Sequence, residues 1–218
     1  MTEGVRPRGW YLASDVGQLV GVSAKTIGQW TRYGYVKATR DPGPPEVFSF
    51  QDVAEAMVVH ELLGRGVPRP EIRTAVQNAQ REYPNWPLTL APIGVFQGEK
   101  GARMALVRKD GTYDVGRAAG YQKFLPNLEK LSELVSLLRR GGWVIKQYPK
   151  ITHIEVDPDR LSGRPAIRGR RVLVSQVAAI ASEAEGRREL RRDYELTAAE
   201  INDAVKWWDA TVELRVAA

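Results

Sequence analysis

The sequence contains no cysteine and only two histidines, His60 and His153. The absence of cysteine excludes disulfides, thiol nucleophiles and thiolate metal sites. No apolar run approaches the ~18 residues that a membrane-spanning helix requires. Residues 1–9 carry arginine with no hydrophobic segment behind it, which is not the pattern of a signal peptide. We therefore expect a cytoplasmic protein without a membrane partner.

The sequence also lacks the usual signatures of an enzyme. It has no glycine-rich phosphate loop, no metal-ligand cluster and no histidine near a nucleophile. The carboxylates of Asp157 and Asp159 flank Pro158, a pattern typical of a turn. We predict a non-enzymatic protein with no catalytic residue, no metal site and no cofactor.

The composition favours a folded protein with a polyanionic partner. Of the 218 residues, 43% are hydrophobic and 27% are charged, which is enough apolar material for two compact domains or one large one. The net charge of +6 and the isoelectric point near 9.6 suit a nucleic acid or an acidic protein. The mixture of patterns predicts a mainly α fold with small β elements, an α+β class.

Three regions follow one another along the chain. Residues 10–82 predict a winged helix-turn-helix domain, residues 88–148 a central β-ribbon with a helix, and residues 149–214 a C-terminal helical domain. Pro84 and Pro87 separate the first two regions because two prolines so close together cannot lie inside one helix.

The first region has the order of a winged helix-turn-helix. Ser14 is predicted to cap a first helix and Ser23 a second one, with Ile27 and Trp30 on its buried side. A basic, proline-rich loop at 37–45 and the segment Val47–Phe50 then predict a two-stranded wing.

The exposed residues of this second helix and of the wing are the candidates for DNA contact. Short donors in the first turns of a recognition helix reach base edges, and basic wing residues reach phosphates. The alternatives are a plain helical bundle with solvated charges and a protein–protein role for the same fold. The candidates are Ser23, Lys25, Thr26, Gln29, Arg32, Tyr33, Lys37 and Arg40.

Several short motifs in this region resemble those of the MerR-type winged helix-turn-helix. The resemblance implies a recognition helix that reads the major groove, beginning at Ser23. It also implies a long dimerisation helix, but Pro84 and Pro87 end such a helix early, and without cysteine no metal effector is expected. The matching motifs are Gly21-Val22-Ser23, Thr26-Ile27-Gly28-Gln29-Trp30, Gly34-Tyr35-Val36, Phe48-Ser49-Phe50-Gln51-Asp52, and Gly66-Val67 with Glu71-Ile72.

The central region alternates apolar and polar residues before a leucine pattern begins. A turn signal at Lys109-Asp110-Gly111 predicts a hairpin. A helix carrying Leu128, Leu131, Leu134 and Leu138 on one face would follow, ended by Gly141-Gly142, and a strand would run over Trp143–Tyr148. These elements suit a core and a dimer surface equally. The predicted ribbon strands are Ile93–Phe96, Arg103–Val107 and Tyr113–Val115.

The C-terminal region begins with an extended segment at 163–172 and continues with three predicted helices. The first spans Val174–Ala184, Gly186 follows it, and the second spans Arg187–Asp193. The third begins at Thr197, which forms a capping box with Glu200. On this last helix we expect a buried stripe and an acidic outer face. The stripe is Ile201, Val205, Trp208 and Val212, and the acidic face is Glu200, Asp203, Asp209 and Glu213.

The same region resembles the antitoxins of the VapB kind. The resemblance is carried by Asp157-Pro158, by the segment Ser162-Gly163-Arg164-Pro165-Ala166-Ile167-Arg168-Gly169-Arg170-Arg171-Val172, and by Tyr194-Glu195-Leu196-Thr197. Ser162, Arg170 and Glu195 depart from the usual glycine, threonine and proline. The resemblance implies a partner toxin with a PIN-like nuclease fold, whose active site is a cluster of metal-binding carboxylates.

Three roles are open for the arginines of this region. They are contact with phosphates, insertion into the acidic active site of a toxin, and simple exposure to solvent. A guanidinium can pair with a carboxylate through two hydrogen bonds, which suits the toxin contact. Trp207 is either an interface anchor or a core aromatic. The candidates for toxin or nucleic-acid contact are Arg164, Arg168, Arg170, Arg171, Arg187, Arg188, Arg191 and Trp207.

Taken together, the two resemblances predict an antitoxin that binds operator DNA as a homodimer, represses its own gene and neutralises a PIN-like ribonuclease. The half-sites would be spaced by whole turns of ~10 bp. The alternatives are a stand-alone MerR-like regulator with a ligand-sensing or dimerisation domain, and an architectural protein that bends DNA.

Overall fold

The computed structural model describes residues 7–98, 101–108, 111–114, 122–124, 129–130, 148 and 150–216. About half of the chain is helical and the strands are short and antiparallel, so the mainly α, α+β class is confirmed. None of the helices in these ranges is long and apolar enough to cross a membrane.

The N-terminal module contains five helices. These are α1 (Ala13–Val20), α2 (Ala24–Arg32), α3 (Phe50–Gly64), α4 (Arg69–Ala79) and the short α5 (Pro87–Leu90). No long helix follows α4 before the break at the prolines, as predicted. Buried side chains from α1 to α4 form the core of the module, among them Val16, Leu19, Ile27, Val53 and Ile72.

Side-chain caps determine where two of these helices begin. The Ser23 hydroxyl accepts a hydrogen bond from the Thr26 amide at 3.2 Å, and Ser49 and Asp52 bond each other's amides in a capping box. The prediction that Ser14 caps the first helix was wrong. Helix α1 begins at Ala13, because the Leu12 amide donates to the Asp15 carboxylate at 2.9 Å and Ser14 lies inside the first turn.

The wing is shorter than predicted. Asp41 and Val47 exchange backbone hydrogen bonds of 3.0 and 2.8 Å and close the loop between them. Phe48 pairs instead with Tyr11, ahead of α1. The loop is therefore attached to the segment that precedes the helix-turn-helix.

The central region forms a five-stranded antiparallel sheet with the order β4-β3-β2-β1-β5. Its strands are β1 (Ile93–Gly98), β2 (Gly101–Arg108), β3 (Gly111–Asp114), β4 (Gln122–Phe124) and β5 (Glu129–Lys130). The three predicted strands of the β-ribbon are confirmed by β1, β2 and β3. Arg108 pairs with Gly111, so β2 and β3 form the hairpin that the turn signal predicts. Residues 109–110 of its turn, and Val115, lie outside the described residues.

The leucine helix is corrected at its start. Glu129 and Lys130 pair with β1 as a strand, so no helix runs through them. The rest of this prediction lies outside the described residues. It comprises the four leucines of the helix (Leu128, Leu131, Leu134, Leu138), its stop at 141–142 and residues 143–147 of the predicted strand. Tyr148, the end of that strand, belongs to no element.

The C-terminal module combines a small hairpin with three helices. The elements are β6 (Ile154–Glu155), a 3₁₀ turn (Leu161–Gly163), β7 (Ala166–Ile167), α6 (Val174–Ile180), α7 (Ala184–Arg192) and α8 (Ala198–Val216). The capping box of Thr197 and Glu200 before α8 is confirmed.

Gly186 lies inside α7 rather than between two helices as predicted. A Cβ at this position would be 1.8 Å from the carbonyl oxygen of Ile180. The missing side chain lets the first turn of α7 pack on the end of α6, so α6 ends at Ile180 and α7 begins at Ala184.

Helix α8 buries a face that shares only Ile201 with the predicted stripe. Its fully buried side chains are Ile201, Ala204, Trp207 and Thr211, whereas Val205, Trp208 and Val212 are half-buried. Asp203 also points inward, with 8% exposure, where it accepts hydrogen bonds from the Thr152 and His153 amides and lies 2.7 Å from the His153 ring. The exposed acidic residues of the predicted outer face are Asp209 and Glu213.

The two modules share one continuous hydrophobic core, in which α8 packs along α1. The buried Gln18 amide donates to Thr211 Oγ1 at 2.8 Å, and Arg215 donates to Asp15 at 2.5 Å. At the other end of α1, the Tyr11 hydroxyl donates to the Gly163 carbonyl at 2.8 Å. The helix-turn-helix is therefore fastened to the C-terminal module on the side of α1.

Candidate nucleic-acid interface

Helix α2 presents one face to the core and another to solvent. Ala24, Ile27 and Trp30 are buried against the module, while Lys25, Arg32 and Tyr33 are exposed. Of the other predicted contact residues on this helix, Thr26 and Gln29 are half-buried. The six predicted residues therefore follow α2 from its cap, Ser23, to Arg32 and Tyr33 at its other end.

The two wing residues are engaged within the protein. Lys37 Nζ donates to the Pro84 carbonyl at 3.1 Å. The Arg40 guanidinium lies 4.5 Å from the centre of the Trp10 ring and donates to the Pro7 carbonyl. Both residues hold neighbouring loops in this arrangement, and their role in phosphate contact stays a prediction.

An open groove runs from the end of α2 to α4. Gln29 and Tyr33 line it from α2, and Arg69, Arg73 and Gln77 line it from α4; no carboxylate contributes to its lining. Both arginines are exposed and make no ion pair with any described residue. Burial raises the pKa of the Tyr35 phenol in this groove, and the positive charges of the two arginines oppose that shift.

Sequence reasoning missed Arg69 and Arg73. The signal was present, because positions 69, 73 and 77 are four residues apart and lie on one face of a helix. What the sequence did not reveal is that this face adjoins the end of α2. The groove adds two unpaired positive charges next to the end of α2, and with the exposed Lys25 and Arg32 on that helix they favour a polyanion.

Helix α3 holds the wing loop and the start of α5 through two buried carboxylates. Asp52 accepts hydrogen bonds from the Thr39 amide and the Trp86 indole at 2.9 Å each. Glu55 accepts from the Leu88 and Thr89 amides at 3.0 and 2.6 Å, and from the Thr89 hydroxyl. Burial raises the pKa of Asp52, and it raises the pKa of Glu55 to about 7 against the opposing effect of the hydrogen bonds.

The arginines of the C-terminal module divide into two groups. Arg170 donates to Glu200 and to the carbonyls of Tyr194 and Glu195, and Arg187 donates to Ala181 and Asn202. Arg188 pairs with Glu185, and both side chains are largely exposed. The exposed arginines without a hydrogen bond or ion pair to any described residue are Arg164, Arg168, Arg171 and Arg191.

Of the two alternatives predicted for Trp207, the structure supports the core aromatic, and the residue is no longer a candidate for contact. Its side chain is 1% exposed and lies on the buried face of α8. Its indole nitrogen has no hydrogen-bond partner in the described part of the chain. A partner protein cannot reach this ring while α8 is packed on α1.

The family comparisons agree with the geometry of the N-terminal module. Residues 11–79 match the family described as MerR HTH family regulatory protein, which includes α1, α2, the wing loop and α4. The N-terminal module is a MerR-type helix-turn-helix domain. Residues 154–207 match the family described as a protein of unknown function, DUF433. The finer VapB resemblance of this segment stays a prediction.

Two mycobacterial proteins are similar to most of the chain. The uncharacterized protein Rv2308 of Mycobacterium tuberculosis is 26% identical over 229 residues, covering 95% of this chain and 92% of its own. The crystal structure of Rv2018 from the same organism is 20% identical with a TM-score of 0.56, covering 89% of this chain and 96% of its own. The second likeness shows that the two chains share an overall fold over most of their lengths.

Within the described residues, no group of three or more histidine, aspartate or glutamate side chains could hold a metal ion. The buried carboxylates of Asp52 and Glu55 instead accept hydrogen bonds from backbone amides and from an indole.

Proposed function

We propose that the chain is a non-enzymatic, DNA-binding transcription regulator that acts as a homodimer. The observation that carries the proposal is the exposed end of α2 beside a groove that contains Arg69 and Arg73 and no carboxylate. Helix α2 would lie in the major groove, where Lys25, Thr26 and Gln29 reach base edges and Arg32 and Tyr33 reach the backbone. The arginines of α4 would contact phosphates beside it.

The test is a binding titration with DNA from upstream of the protein's own reading frame, measured by fluorescence anisotropy at several salt concentrations. Lys25→Ala and Arg32→Ala should weaken binding by about 1–3 kcal/mol each if they contact bases. Arg73→Ala should weaken binding to specific and unrelated DNA alike and flatten the salt slope by about 1.

Lys206→Ala is the matched control, because Lys206 is an equally exposed cation on α8. It should leave affinity and salt slope unchanged. If Lys25→Ala and Arg32→Ala behave like this control, helix α2 does not read the DNA. Light scattering of the protein alone and on a two-half-site duplex tests the dimer.

We further propose that the regulator is the antitoxin of a type II pair and represses its own gene. Support comes from the exposed, unpaired Arg168, Arg171 and Arg191 in the module that resembles VapB antitoxins. Guanidinium groups free of internal partners can pair with the carboxylates of a PIN-like ribonuclease site. Arg170 and Arg187 are needed within the fold and are assigned a structural role instead.

Co-expression of the tagged chain with the product of the neighbouring gene tests this role. A stable complex that relieves growth arrest and shifts the upstream DNA is expected, and the double variant Arg168→Glu with Arg171→Glu should lose the complex while keeping DNA binding. Lys206→Glu serves as the control for added negative charge. DNA binding without any complex would refute the antitoxin role and leave a stand-alone regulator, whose ligand would have to bind in the C-terminal half.

A further inference from the structure

A largely buried ion-pair network joins helix α4 to the central sheet. The Arg103 guanidinium on β2 donates through Nε to the Glu71 carboxylate on α4. Its Nη2 lies 3.1 and 2.9 Å from the two carboxylate oxygens of Asp114 on β3. The side chains of Arg103, Glu71 and Asp114 are 13%, 12% and 8% exposed, respectively. Water therefore screens these pairs little, and their hydrogen bonds restrict the geometry of all three groups.

The sheet supplies the fixed end of this network. Strand β2 is the middle strand and is hydrogen-bonded on both sides, to β1 and to β3. Asp114 pairs with Ala105, which is two residues from Arg103, so the side chains of Arg103 and Asp114 lie on the same face of the sheet. The sheet therefore holds the guanidinium in place, and the guanidinium holds α4 through Glu71.

Glu71 and the groove arginines lie at opposite edges of α4. Glu71 is two residues from both Arg69 and Arg73, and two residues are about 200° apart around an α-helix. Apolar packing is not directional and tolerates some rotation about the helix axis, whereas a hydrogen bond does not. A rotation of α4 that breaks the bond at Glu71 thus turns the two arginines away from α2. The apolar face between the two edges is buried and consists of Ile72, Ala75 and Val76.

We propose that Arg103 is a positioning residue for the DNA-binding surface. By holding Glu71, it fixes the rotation of α4 that places Arg69 and Arg73 beside α2. This inference rests on the proposed function, because it takes the two arginines as phosphate contacts. Loss of the contact between Arg103 and Glu71 weakens phosphate binding alone, so affinity falls equally for specific and unrelated DNA and the preference read by α2 is kept.

The variant that tests this contact is Glu71→Met, which keeps the helix propensity and removes the acceptor. Asp114→Asn is the matched control, because it also removes a buried negative charge beside Arg103, but on the side of the sheet. Electrostatics alone predicts that both variants bind DNA more tightly, since each makes the protein more positive by one charge.

Positioning predicts the opposite sign for one of the two variants. Glu71→Met should weaken binding to specific and unrelated DNA about three- to tenfold and flatten the salt slope, whereas Asp114→Asn should not weaken it. In a background that carries both Arg69→Ala and Arg73→Ala, Glu71→Met should cost no further affinity, because the contacts that it positions are already absent. If Glu71→Met leaves affinity unchanged or raises it, or lowers it equally in both backgrounds, Arg103 does not position these arginines.

Glu71→Gln covers the case in which Glu71→Met does not fold. The glutamine keeps a neutral acceptor for Arg103, so the loss of affinity should be smaller and of the same sign. A rise in affinity for Glu71→Gln, equal to that for Asp114→Asn, would show a charge effect and overturn the positioning role.

A measurement without DNA separates this inference from the proposed function. Residual dipolar couplings of the backbone amides in the ¹⁵N-labelled full chain report the orientation of α4 relative to α2 and α3. We expect Glu71→Met to change the couplings of α4 relative to those of the other two helices, and Asp114→Asn to leave them as they are. An unchanged orientation in a protein that binds DNA would overturn the positioning role alone, whereas a parent protein that binds no DNA would overturn the proposed function and this inference with it.

Discussion

Gly163→Ala is the substitution whose cost can be worked out most directly from the structure. Gly163 has a φ of +82°, and a Cβ placed there would lie 1.8 Å from the Tyr11 hydroxyl oxygen and 2.6 Å from its ring carbon. The left-handed conformation costs alanine about 1–2 kcal/mol. Displacing a buried tyrosine that is 1% exposed adds an overpacking cost of about 1–3 kcal/mol. We therefore expect the free energy of unfolding to fall by about 2–5 kcal/mol.

The structure also provides a control that isolates the backbone cost. Gly169 has a φ of +73°, and a Cβ there would meet nothing within 4 Å. Gly169→Ala should therefore cost only the ~1–2 kcal/mol of the left-handed conformation. Urea unfolding of the full chain, followed by tryptophan fluorescence, measures both variants.

A double-mutant cycle with Tyr11→Phe completes the argument. Removing the hydroxyl alone costs about 0.5–1.5 kcal/mol, because it loses the hydrogen bond to the Gly163 carbonyl. In the Gly163→Ala background the same change should cost less or even stabilise, because it removes the atom of the closest clash. Equal costs for Gly163→Ala and Gly169→Ala, together with additive effects of Tyr11→Phe, would refute the contact between the two modules at this point.

Two further predictions concern buried polar groups. Burial raises the pKa of Glu55 from 4.5 to about 7, so the folded protein binds the proton of this carboxyl group more tightly than the unfolded chain does. The free energy of unfolding that this proton contributes is therefore fully present below about pH 4.5 and is lost as the pH rises through 7. Up to about 3 kcal/mol is involved, and Glu55→Gln should abolish this slope relative to the parent protein in urea unfolding between pH 5 and pH 8. Thr211→Val should cost about 1–3 kcal/mol because it leaves the buried Gln18 amide without its acceptor. Thr197→Val, at an exposed cap, should cost about 1 kcal/mol. A smaller loss of stability for Thr211→Val than for Thr197→Val in a thermal melt would argue against a buried contact between α1 and α8.

Local chemistry in the sequence was enough to predict where several helices begin and where one hairpin turns. Ser23, Ser49 and Thr197 each precede an apolar pattern, and each caps a helix. The hairpin between β2 and β3 also follows from its turn residues and alternation. These features depend on neighbours within a few residues, so the sequence carries their signal directly.

The errors came from contacts between distant segments. Gly186 resembles a helix stop, but its place inside α7 depends on the carbonyl of Ile180 in another helix. Asp203 was placed on the wrong side of α8, and Trp207 was left undecided, because the buried face of that helix depends on its packing against α1 as well as its own module. The groove arginines Arg69 and Arg73 were missed for the same reason, since their importance depends on which helix lies beside them.

The pairing of Gln18 with Thr211 joins residues 193 positions apart in the chain. At typical rates of protein synthesis, the partner of α1 emerges from the ribosome about 10–40 s after α1 itself. During that interval the helix-turn-helix must remain soluble with Gln18 hydrated and one side of α1 uncovered. Completion of the core around α1 is thus timed by translation of the C-terminal helix, and a nascent chain that stalls before α8 leaves the MerR-type domain without that packing partner.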